Sequence, residues 1–166
     1  MILLPVTMVA WATLALVVLT YADAPIASLM PLAVLVGGFE AIHALHVGVE
    51  RVGRYLQVYY EDPESGPRWE TIAMSVGPAL PGGGVDPLFT IPFASATFVN
   101  LIPALTVVPR ATATEIGVIG VLHFALIIRV VRARGASARQ RAVELESFRA
   151  LRGQEQAPAA RSEVGG

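Results

Sequence analysis

The sequence predicts an all-α, polytopic integral membrane protein: four transmembrane helices in a bundle, a short interfacial helix and a C-terminal cytoplasmic helix. Three observations carry this. Of 166 residues, 54% are apolar and only 15% charged, against roughly 45–50% and 25% in soluble domains. Uncharged runs recur at about 20 residues, the number that crosses a ~30 Å hydrocarbon layer at ~1.5 Å per residue. Arginine gathers after the last of these runs, as it does in cytoplasmic segments.

The first run, residues 2–21, has no charge. Ala22-Asp23-Ala24 offers a small-x-small cleavage pattern, but no Arg or Lys precedes Trp11 and Pro25 would follow the cut, so the segment reads as a retained span. A second span opens at Pro25, apolar up to Glu40. With no proline between 32 and 62, it is expected to continue as one helix over about 26–60, its last part cytoplasmic. The third span, 87–108, is uncharged but interrupted by Pro92 and Pro103, and contains Asn100. The fourth, 111–133, holds Glu115 and Arg129.

Arg132 stands at the end of the fourth span, and Arg134, Arg139, Arg141, Arg149, Arg152 and Arg161 follow it. That places the C-terminus in the cytoplasm, and an even span count places the N-terminus there too. The middle connection, with Arg51, Arg54 and Arg68, falls on the same side, in keeping with the cytoplasmic membrane of a bacterium. In "RWETIAMSV", Trp69, Ile72, Ala73 and Val76 share one helical face, which predicts a short helix lying on the inner surface. After a four-span domain (1–135), residues 136–152 read as a cytoplasmic amphipathic helix, and 153–166 have too little apolar surface to order.

Composition also excludes chemistry. There is no cysteine, hence no disulfide, thiolate metal site or cysteine nucleophile. A net charge of −1 lacks the basic excess of a nucleic-acid partner. Ser95 has no matched base and acid, and "PGGG" has no strand or GK[ST] context. No catalytic residue is therefore assigned.

The unusual segment is "FEAIHALHVGVERVGRYLQVYYE". At ~100° per residue, Glu40, His43, His46, Glu50, Arg51, Arg54, Gln57 and Glu61 fall within an arc of about 140°, opposite Leu45, Val49, Val52 and Leu56. Glu50, Arg51, Arg54 and Glu61 read as a solvated cytoplasmic face with i,i+4 pairing. Glu40, His43 and His46 lie deeper, where a charge costs at least ~2.5 kcal/mol and must find a partner or neutralise. Counting depth along the helices puts Glu40 at about 22 Å and His123 at about 20 Å, with Thr97 at roughly 18 Å, Asn100 at roughly 14 Å and Glu115 shallower. A buried cluster of Glu40, His43 and His123 with Thr97 beside it is the expectation.

Three roles follow from such a cluster. It can fix helix packing in a non-enzymatic subunit or oligomeric component, with Gly37, Gly38, Ala41, Ala44, Gly48, Gly117 and Gly120 allowing close approach to further subunits or second copies. It can relay protons or a small solute along Glu115, His123, Glu40, His43, His46 and Glu50. Or Glu40, His43 and His123 can hold haem or a single metal ion, although Glu40-x-x-His43 is half of a di-iron pattern. The first is the reading the sequence favours, with the lipid bilayer as its surroundings.

Overall fold

The computed structural model describes residues 2–61, 66, 68–76, 89–106 and 112–163. Every regular element among them is helical: α1 (Leu3–Tyr21), a 3-10 turn (Pro25–Ser28), α2 (Leu29–Tyr59), α3 (Trp69–Val76), α4 (Thr90–Thr106) and α5 (Ala113–Glu163). Three of these stretches are long and apolar enough to cross a membrane, in α1, in α2 with its preceding turn, and in α5; α4 is apolar but shorter.

The chain forms two compact units, Met1–Leu45 with Asp86–Arg134, and His46–Val85 with Gly135–Gly166. In the first, Leu32, Leu35, Phe39 and Ile42 of α2 make a core with Phe93 and Ala96 of α4 and Leu126, Val130 and Ala133 of α5. The i, i+3, i+7, i+10 spacing on α2 is one helical stripe, so a single face supplies all four. Phe39 meets the edge of Phe93 with ring centroids 5.3 Å apart, a favourable quadrupole geometry.

Helix α1 behaves differently. Only Thr7 is buried on it, while Val6, Val9, Leu16, Val17 and Leu19 stand exposed. An apolar surface on every side is what lipid, not water, accommodates. Thr7 donates to its own Leu3 carbonyl at 2.8 Å and rests against Gly38, where an added Cβ would lie 2.9 Å from Thr7 Cβ. Gly38 is there because nothing larger fits.

In the second unit, α2 continues through Glu50 to Tyr59 without a break, as its lack of proline predicts. Helix α3 forms where the one-face spacing places it, with Trp69, Ile72 and Val76 exposed. Its other side approaches α2 so closely that a Cβ on Gly53 would sit 2.8 Å from Glu70 Oε2. Helix α5 departs from expectation: it passes Gly135 and position 153 without interruption and ends at Glu163. A lone glycine costs a helix only about 1 kcal/mol relative to alanine, too little to end one that is held along its length. Residues 164–166 of the expected tail, the "PGGG" turn and both ends of the third predicted span lie outside the described residues.

Candidate functional site

The seven deep polar residues and four helix-face charges do not assemble into one cluster. They divide among separate groups, each with its own physical logic.

The most enclosed group surrounds His123, which is 1% exposed. Its Nδ1 lies 2.7 Å from the Ile119 carbonyl and its Nε2 lies 3.0 Å from Asn100 Nδ2. Asn100 Nδ2 also donates to the Ser28 carbonyl at 3.0 Å, and Asn100 Oδ1 accepts from Trp11 Nε1 at 3.2 Å. These contacts fix every proton. An indole N–H can only donate and a backbone carbonyl can only accept, so the amide of Asn100 has one workable orientation. Its nitrogen then faces Nε2, which must accept, while Nδ1 donates to Ile119. His123 is thus held as the neutral Nδ1–H tautomer with both nitrogens in use. Trp11 as the donor to Asn100 has no signal in the sequence.

Glu40 sits elsewhere. Its Oε2 accepts from Arg129 at 2.8 Å, so its partner is Arg129 and not His123. Arg129 also lies over the Phe39 ring, 5.7 Å from its centroid, a cation–π contact that further holds the guanidinium. Both side chains of the pair remain about half exposed, 45% for Glu40 and 40% for Arg129. Depth counting placed Glu40 beside His123 because it ignores rotation about the helix axis, and rotation decides the neighbour. Thr97 does not join either group: fully buried, it donates to the Phe93 carbonyl of its own helix at 2.7 Å. His43 stacks on Phe39 with centroids 6.1 Å apart.

The third group belongs to the second unit and corrects the reading of a solvated face. Arg54 is 3% exposed. Its guanidinium grips Glu144 of α5 through Nε at 2.9 Å and through Nη2, and reaches Glu50 at 3.3 Å. Arg51 donates to the other Glu144 oxygen at 3.0 Å, as does Gln140 at 2.8 Å. Arg141 pairs with Glu50, and His46 Nε2 stands 3.4 Å from the same carboxylate. The face is an interhelical network in which two carboxylates are shared by three arginines. Nothing in the sequence marks Glu144 as the partner, since the two helices are about 90 residues apart in the chain.

Two carboxylates are helix caps. Glu61 accepts from the backbone N–H groups of Glu70 and Thr71 and from the Thr71 hydroxyl at 2.5 Å, filling the donors left open at the start of α3. Burial tends to raise its pKa, but the Thr71 hydroxyl, the Glu70 and Thr71 amides and Arg68 outweigh that and hold it below the ordinary carboxylate value. Glu115 closes a reciprocal capping box with Thr112: Glu115 Oε2 accepts from Thr112 N at 2.9 Å and Glu115 N donates to Thr112 Oγ1 at 3.2 Å. The signature was present as Thr112-Ala113-Thr114-Glu115, the T-x-x-E pattern.

Of the six residues expected to form a relay, Glu115 caps a helix end and His123 engages both ring nitrogens. The metal set is unassembled: among the described residues, no three histidine or carboxylate side chains converge as a metal ion requires. Comparison of the chain with family models, with curated proteins and with solved structures finds no match.

Proposed function

We propose that the chain is a non-enzymatic subunit of a membrane complex, with four spans, both termini in the cytoplasm and α3 on the inner surface. The observation that carries this is the Glu40–Arg129 pair. At ~1.5 Å per residue, Glu40 is about 22 Å from Pro25 and Arg129 about 24 Å from Ala113, short of the ~30 Å needed to leave the hydrocarbon. A half-open ion pair at that depth is costly against acyl chains, and an adjoining protein surface removes the cost by covering it. The spent state of the other polar groups supports a structural role, since Arg54, Glu144, Glu61, Glu115 and His123 each complete an interaction inside the chain.

The absence of native cysteine makes the test direct. Ala41→Cys and Ala125→Cys, each exposed and close in sequence to one member of the pair, are cross-linked in intact membranes with a short bismaleimide. Discrete products containing a second copy or one defined partner are expected, lost with Glu40→Leu. A monomer in mild detergent and no discrete product from either cysteine would refute the subunit reading. Labelling of Ala24→Cys and Arg149→Cys from opposite sides of the membrane checks the orientation.

A further inference from the structure

The first unit contains a crevice of about 520 Å³ between α1, the 3-10 turn with the start of α2, and α4. Its walls are mostly apolar, formed by Trp11, Ala15, Leu19, Pro31, Val99 and Ala104 among others, and the charged group on them is Asp23. From Trp11 to Ala22 the α1 wall is about 16 Å long. Ala12 and Ala15 open the space, where larger residues would have closed α1 on α4.

The two ends differ. At the deep end lie Trp11 and Asn100, already joined by their hydrogen bond. At the other end the connection between two membrane-crossing segments places exposed Asp23, and that connection has to leave the hydrocarbon layer whichever way the chain is oriented. A long apolar slot ending in a carboxylate at headgroup level matches a lipid whose chain fills the slot and whose head carries a positive group. We propose that the crevice binds one acyl chain of a phospholipid with a primary ammonium headgroup, the ammonium pairing with Asp23. The inference rests on the membrane reading of α1.

Trp69→Phe leaves Trp11 as the sole tryptophan, against the crevice wall. This variant is reconstituted in phosphatidylcholine vesicles containing a small fraction of chain-brominated lipid, either phosphatidylethanolamine or phosphatidylglycerol. The expected result is several-fold stronger quenching of Trp11 by the ethanolamine lipid. Ala15→Phe, which fills the slot, should abolish that excess, and Asp23→Asn, at an exposed position, should level the two headgroups. Equal quenching by both lipids, unchanged by Ala15→Phe, would overturn the site while leaving the membrane reading intact. Failure of the protein to float with vesicles, with Trp11 unquenched even in fully brominated bilayers, would overturn both.

Discussion

Glu144→Gln separates a structural ion network from a solvated charged face. The substitution keeps the side chain's size and its ability to accept one hydrogen bond, but leaves the buried Arg54 guanidinium without the carboxylate that grips it through two nitrogens. Removing one partner of a fully buried pair costs about 3–5 kcal/mol. Here Glu144 keeps 16% exposure and Arg54 keeps Glu50 at 3.3 Å, so the expected loss falls below that range, about 2–3 kcal/mol. At a factor of ten per 1.4 kcal/mol, amide exchange in the second unit should accelerate roughly 30- to 140-fold. Hydrogen exchange followed by mass spectrometry over residues 46–58 and 140–152, in mild detergent, reads this directly. Arg54→Met combined with Glu144→Leu should recover most of the loss, because it removes both charges together. Should Glu144→Gln cost no more than about 0.5 kcal/mol, the value of an exposed pair, the network would be a surface feature and the reasoning would fail.

Other consequences are equally accessible. Gly38→Ala forces a Cβ against Thr7 and should cost about 1–3 kcal/mol by overpacking, measured by thermal unfolding in detergent; Thr7→Ser in the same chain should return part of it, and no loss would mean α1 does not seat there. Because the folded pKa of Glu61 is depressed, its hold on α3 is complete above the ordinary carboxylate value of 4.5 and weakens as pH falls through the lower folded value. Trp69 emission should therefore change on acidification below pH 4.5, and Glu61→Gln should remove that transition. Nitrogen-resolved NMR of His123 should show a protonated Nδ1 and a bare Nε2 at neutral pH, while Asn100→Leu should cost about 1–3 kcal/mol by stranding Trp11 and Ser28; a mixed tautomer population would contradict the assigned hydrogen bonds.

What could be read from the sequence follows the range of the forces involved. Helix periodicity is local, so α1, the long α2 and even the exposed face of α3 were legible from runs and spacing. Glu115 was legible too, by its T-x-x-E context, but depth counting drew attention to the wrong property of it. The pairings Glu40–Arg129, Arg54–Glu144 and Trp11–Asn100 were not accessible, because each depends on how two remote helices are rotated toward each other. Arginine in a run of apolar residues looked like an interruption of the expected fourth span, whereas Arg129 is the counter-ion of Glu40.

The chain of donors from indole to amide to imidazole has a direction. Reversing any one link would set two donors or two acceptors face to face, so Trp11, Asn100 and His123 depend on one another. Among related sequences, the three positions should change together or not at all, and a chain that has lost one of them should have replaced the other two with apolar side chains.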